Sequence, residues 1–216
     1  MSHDISNKPA DTGDAIFSAA DYFLGIAQRI AASQDNTRIV LPGKGEVSLF
    51  PGRKEYSADI ADMAEFFQTP AAQFEISTLG EAVLPKTPGS SKNIGELLWQ
   101  AAFHASQGRM VEGTSKYDVV QFRHWPNLPR LSKTPNTARI CALLTRHPTT
   151  IMLVHRQLGI GKDEVYRIYS AAYCSGIANM TSKNPAAANE LAEIEPVEPA
   201  QERSLLRSLF SKISGL

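Results

Sequence analysis

Thr137-Ala-Arg-Ile-Cys-Ala-Leu-Leu-Thr-Arg146, Ile151-Met-Leu-Val-His-Arg-Gln-Leu158 and Lys162-Asp-Glu-Val-Tyr-Arg-Ile-Tyr-Ser-Ala-Ala-Tyr-Cys174 follow one another with only short breaks. Each repeats its apolar residues at three- and four-residue steps, the spacing of one helix face. His147-Pro148 stops the first, because proline disfavours helical geometry in the residue before it. Thr149-Thr150 can cap the second, Gly159-Ile160-Gly161 turns the chain, and Ser175-Gly176-Ile177 closes the third. The stretch Thr137 to Met180 therefore predicts three helices in tight succession.

This order, with Leu158-Gly159-Ile160 at the turn and Gly176-Ile177 at the exit, resembles the helix-turn-helix core of the winged-helix superfamily. The resemblance covers residues 137–180 only. It implies a three-helix domain whose third helix would read DNA, although the same core serves in some proteins to bind other proteins. A wing needs two strands and a turn. Here Asn179-Met-Thr-Ser-Lys-Asn-Pro185 reads as passing straight into a low-complexity linker, so a wingless variant is expected.

On the third helix, Val165, Ile168, Tyr169, Ala172 and, beyond it, Ile177 should point inward. Lys162, Asp163, Tyr166, Arg167, Ser170, Tyr173 and Cys174 would form the outward face. That face is mixed in charge, and Asp163 and Glu164 at its start suit phosphate poorly.

The chain has 216 residues, 22 basic and 22 acidic, yet its charge is segregated. Residues 1–115 hold nine basic and fourteen acidic side chains (9 − 14 = −5), residues 116–183 ten and three (10 − 3 = +7), and residues 184–216 three and five (3 − 5 = −2). Most of the positive charge comes from the first two helices and their approach: Arg123, Arg130, Lys133, Arg139, Arg146 and Arg156, with His124, His147 and His155 nearby in sequence. If these converge they form a site for an anion: a nucleic-acid backbone, a nucleotide second messenger or an acidic protein surface. Candidate binding residues are thus Arg123, Trp125, Arg130, Arg139, Arg146, His155, Arg156, Lys162 and Arg167.

The segment Arg123-His-Trp-Pro-Asn-Leu-Pro-Arg-Leu-Ser-Lys-Thr-Pro135 joins this region to the first half along an extended path, since its three prolines resist helix. Trp125 either plugs the seam between the halves or offers a stacking platform beside Arg123, His124 and Arg130.

Residues 14–122 read as a small α+β domain. A helix is expected from Asp14 or Ser18 to Ser33, and a hairpin from Arg38–Leu41 and Glu46–Phe50 around Pro42-Gly43-Lys44-Gly45. A short helix capped by Ser57 or Asp59 should run through Phe67. A strand over Gln73–Leu79 with Phe74 and Ile76 inward, a loop from Leu84 to Lys92, a helix from Ile94 to Gln107 capped by Asn93, and a strand over Tyr117–Phe122 complete it.

Neither Gly43-Lys44-Gly45 nor Gly159-Ile-Gly-Lys162 meets the spacing of a phosphate-binding loop. His104 stands alone on its helix, and Asp59, Asp62 and Glu65 read as a solvated face. No acid/base pair, nucleophile motif or metal-ligand spacing emerges, so neither catalysis nor a cofactor is expected.

Residues 1–13 and the acidic, Pro- and Ala-rich linker 184–202 read as disordered. In 203–216, Leu205, Leu206, Leu209, Phe210, Ile213 and Leu216 fill an arc of roughly 140° on a helical wheel, with Arg203, Arg207 and Lys212 on the rest. That amphipathic helix could tether the protein to a partner groove, an anionic membrane surface or its own body. No apolar run approaches the roughly 20 residues of a membrane span, and no secretory pattern begins the chain. Two cysteines without motif partners, Cys141 and Cys174, suit a reducing, cytoplasmic setting.

The expected fold is thus α+β: residues 1–13 disordered, a small α+β domain over 14–122, a winged-helix-like three-helix domain over 123–183, a linker over 184–202 and an amphipathic helix over 203–216. The expected function is that of a non-enzymatic regulatory or signalling adaptor of bacterial type. It would use the basic helix-turn-helix to bind a protein partner or an anionic ligand such as a nucleotide. The alternative is a DNA-binding transcriptional regulator.

Overall fold

The elements succeed one another as β1 (Ile16–Phe17), a 3-10 turn at Ala19–Asp21, α1 (Phe23–Ala31), β2 (Thr37–Leu41), β3 (Gly45–Phe50), β4 (Glu55–Ile60), α2 (Met63–Gln68), β5 (Glu75–Thr78), β6 (Lys92–Asn93), α3 (Ile94–Ser106) and β7 (Met110–Val111). Then come β8 (Val119–Phe122), α4 (Thr137–Arg146), β9 (Thr149–Thr150), α5 (Ile151–Leu158), α6 (Lys162–Cys174) and β10 (Ala178–Ser182). This is a computed structural model, and it describes residues 15–80 and 92–182. The expectations for residues 1–13, for residues 84–91 of the proposed loop, for the linker 184–202 and for the tail helix 203–216 fall outside the described residues.

The hairpin forms as its turn residues require. β2 and β3 pair from Thr37↔Leu49 to Leu41↔Gly45, and they sit inside an antiparallel sheet of order β5-β2-β3-β4-β6. One face of that sheet buries Ile39, Val47, Leu49 and Tyr56, and α1, α2 and α3 belong to the same hydrophobic cluster. Phe23 of α1 meets Phe66 and Phe67 of α2 and Phe74, with ring centroids 5.1 to 5.5 Å apart across the group. Such tilted contacts suit the ring quadrupoles and add to the area they bury.

Three local readings need correction. The helix capped by Ser57 or Asp59 does not form, because residues 55–60 are β4, paired with β3 at six successive positions from Gly45↔Ile60 to Phe50↔Glu55. That ladder satisfies backbone groups on the whole outer side of β3. The helix is left to start at Met63, with the Asp62 carboxylate accepting the Glu65 N–H at 3.0 Å. The first helix begins only at Phe23, since Ile16–Phe17 pairs in parallel with Met110–Val111 and Tyr22 is extended. Ile76 pairs with the buried Ile39 and so lies on the core-facing side, but its edge strand leaves it 52% exposed rather than buried.

The second half has its own sheet, of order β10-β8-β9. β8, expected in the first half, pairs with β9 through Val119↔Thr150 and with β10 through Phe122↔Ala178. β10 itself occupies the stretch read as leading straight into the linker. The three helices α4, α5 and α6 stand where the sequence placed them. Asn93 caps α3 and Thr150 caps α5, accepting the Leu153 N–H at 3.2 Å.

α3 and α6 lie antiparallel. Gly95 at the start of α3 is near the Ser175 carbonyl, and Gly108 past its end abuts Asp163 at the start of α6. Gly108 has φ +85°, and a Cβ there would stand 2.8 Å from the Asp163 Cβ. Glycine satisfies both the left-handed backbone and the close approach. Buried side chains run without interruption from Phe23 and Leu49 through Leu97 and Trp99 to Ile140, Leu144, Val154 and Ile168, so both halves share one core.

Candidate functional site

Three interactions frame the start of α4, where the basic stretch enters its helices. Thr134 N–H donates to Thr137 Oγ1 at 2.7 Å at the start of α4. The Glu164 carboxylate of α6 accepts the Asn136 N–H at 2.9 Å and its Nδ2 at 3.0 Å. Partial burial raises the Glu164 pKa, but hydrogen bonds from Thr134 and Asn136 and the Arg139 charge outweigh it and hold the carboxyl below its ordinary value. Glu164 is therefore spent on fastening α6 to α4 rather than facing outward. Arg139 donates to Asn136 Oδ1 at 3.0 Å and to the Leu158 carbonyl at 3.1 Å, tying the start of α4 to the end of α5.

The predicted residues divide into two groups. Arg130 pairs with Glu96 at 3.4 Å, Arg139 is bound as above, and Arg167 lies over the Phe103 ring at 5.3 Å. His155 Nδ1 hydrogen-bonds the Ile160 carbonyl and so shapes the α5–α6 turn. These four are committed to the fold, although Arg130 and Arg139 still face solvent. The side chains of Arg123, Arg146 and Arg156 are exposed and make no hydrogen bond or ion pair with a described residue. Lys162 is half-buried at the start of α6.

Trp125 is 50% exposed, so it does not plug the seam. Trp99, fully buried, does: its Nε1 donates to the Ser132 carbonyl at 2.9 Å.

The structure corrects the outward face of the third helix. Tyr166, Ser170 and Cys174 are buried, at 4%, 0% and 9% exposure, and Arg167 is half-buried. Only Asp163 and Tyr173 of the predicted face are exposed. α3 packs along α6, and the Ser170 hydroxyl accepts the Val111 N–H and donates to the Arg109 carbonyl just beyond α3; nothing in the sequence of α6 announces these partners.

A second feature escaped sequence reading. α3 holds the proline-rich join by its backbone. Gln100 Nε2 donates to the Arg130 carbonyl at 3.1 Å, and the Ser132 N–H donates to Gln100 Oε1 at 3.0 Å. His104 Nε2 meets the Ser132 hydroxyl at 3.1 Å and stacks on Phe67. Burial, with Arg167 adding, pushes the His104 pKa below its ordinary value, against a smaller pull from Asp62. The buried Gln100 amid apolar helix positions was the one available signal.

The chemistry at hand is modest. Burial pushes the Cys141 and Cys174 thiols up to about 12, leaving them protonated and unreactive. No group of three or more His, Cys, Asp or Glu able to hold a metal occurs among the described residues. A cavity of about 290 Å³ opens between the 3-10 turn, α1 and β7, lined in part by Ser18, Gly25, Gln28, Arg29 and Glu112; no predicted site residue lines it. No helix among the described residues is long and apolar enough to cross a membrane. Comparison with protein-family models, curated proteins and solved structures gives no match for this chain.

Proposed function

We propose that this protein is a non-enzymatic adaptor whose α4–α5 face docks an acidic surface of a protein partner. One observation carries the reading. From residue 119 to 162 there is no Asp or Glu, while Arg123, Arg130, Lys133, Arg139, Arg146, Arg156 and Lys162 all fall there, and Arg146 and Arg156 stand exposed on α4 and α5. Helix surfaces with outward arginines suit an extended anionic surface, because guanidinium forks pair with carboxylates one by one and steer encounter at a distance.

The helix–strand–helix–helix–strand succession Thr137–Ser182 is consistent with a winged-helix core. Its third helix is covered by α3, which speaks against DNA reading through α6. A nucleotide ligand finds less support, since the arginines stand on open helix surface.

The test is binding of the full chain to fluorescent polyglutamate and, separately, to a random DNA duplex at low and at physiological salt. Polyglutamate binding that weakens with salt is expected, with Arg146→Glu/Arg156→Glu weakening it by about tenfold, equivalent to about 1.4 kcal/mol. No binding at low salt, or an unchanged affinity in the double variant, refutes the reading. Tighter binding to the duplex would transfer the face to nucleic acid.

A further inference from the structure

We propose that the acidic segment Glu190–Glu202 of this same chain lies across the α4–α5 face and competes there with partners in cis. The inference rests on reading α4–α5 as the binding face and adds its regulation.

Charge is the first argument. Residues 184–202 carry Glu190, Glu193, Glu195, Glu198 and Glu202 and no Lys or Arg, a net of −5. The longest stretch of opposite and unmixed sign is 119–162, with its seven Lys and Arg and no carboxylate. The alternative landing place repels. The outer face of the five-stranded sheet brings Glu46, Glu55, Asp59 and Glu75 onto one side, with Arg38 the one cation among the paired residues there. Arg38 is already paired with Glu46.

The place where the described chain ends is the second argument. Ser182 is the last residue of β10 and pairs with Val119, whose neighbour on the other side is Thr150. Adjacent strands lie about 4.8 Å apart, so the chain leaves roughly 10 Å from Thr150. Thr150 caps α5 and is four residues beyond Arg146. The eight residues from Ser182 to Glu190 reach at most about 28 Å, and the twelve from Glu190 to Glu202 at most about 43 Å. Arg139 and Arg146, seven residues apart on α4, are separated by only about 10 Å along the axis. The acidic segment therefore reaches both helices with chain to spare. Tethering at this range gives it an effective concentration on the order of millimolar, which a partner in solution must outcompete.

The experiment uses the full chain with a nitroxide on Val197→Cys and reads amide broadening in an isotope-labelled sample. Broadening of the α4 and α5 amides around Arg139, Arg146 and Arg156 is expected, lost at high salt and in the variant with all five glutamates changed to Gln. That variant should also bind polyglutamate about tenfold more tightly than the parent. The same α4–α5 broadening with neither form binding polyglutamate upholds the cis contact and overturns only the proposed function. Absent broadening overturns the inference, as does broadening centred on the five-stranded sheet. Broadening that appears only between mixed chains overturns it by assigning the contact to a second copy. Where the parent does bind polyglutamate, an unchanged affinity in the Gln variant overturns it too.

Discussion

Replacing Gln100 by Leu tests whether α3 and the proline-rich join form one unit. Gln100 is 7% exposed and makes two hydrogen bonds, donating to the Arg130 carbonyl at 3.1 Å and accepting the Ser132 N–H at 3.0 Å. Leucine is close in volume, so no large cavity opens and the change isolates the polar contacts. Each lost bond leaves a backbone group without its partner, at about 1–2 kcal/mol for a partly buried group. Together they should cost about 2–4 kcal/mol.

For a chain of this size 1 kcal/mol shifts the melting temperature by about 2–4 °C, so a drop on the order of 4–16 °C is expected. Urea denaturation should show a lower midpoint with an unchanged slope. Hydrogen exchange gives the sharper readout, because the Ser132 amide should lose protection while β2 and β3 amides, remote from the join, change only by the loss of global stability. A loss of stability under about 0.5 kcal/mol with unchanged Ser132 exchange would refute the reasoning, since water would then satisfy those groups as well as Gln100 does.

Two further outcomes follow from the same contacts. Gly108→Ala should destabilise by about 1–3 kcal/mol, because its φ of +85° strains any side chain and its Cβ would press on Asp163; a neutral result in urea denaturation would show that the α3–α6 approach relaxes freely. His104 is held below its ordinary value of 6.5, so the folded state binds fewer protons than the unfolded one just beneath that pH. Stability should thus fall as pH drops from 6.5 toward the depressed folded value and level off below it. His104→Gln should flatten that slope, and a stability–pH curve unchanged by the substitution would sink the assignment.

The order of helices was legible because helix signals are local. Asn93, Thr150, Gly159 and Gly176 act on backbone groups within a turn of themselves, and each stands where its role was read. The charge segregation is likewise a property of the sequence, and exposure of Arg146 and Arg156 is what helix periodicity implies. The first-half strands were less legible. Residues 55–60, Glu-Tyr-Ser-Ala-Asp-Ile, do alternate polar and apolar side chains, a strand signal that a helix reading from Ser57 overlooks and that pairing with β3 realises.

What the sequence determined by itself, then, was the succession α4–α5–α6, their caps and the concentration of positive charge ahead of the third helix. The tertiary structure alone decided that β8 joins β9 and β10 and that Trp99 rather than Trp125 fills the seam. It also decided that α3 packs against α6 and that Ser170 of α6 is buried against Arg109 and Val111, just beyond α3. The physical reason is range. A cap or a stripe is set by residues three or four apart, whereas strand partners and covered faces are set by chain 28 to 80 residues away, whose approach no local pattern encodes.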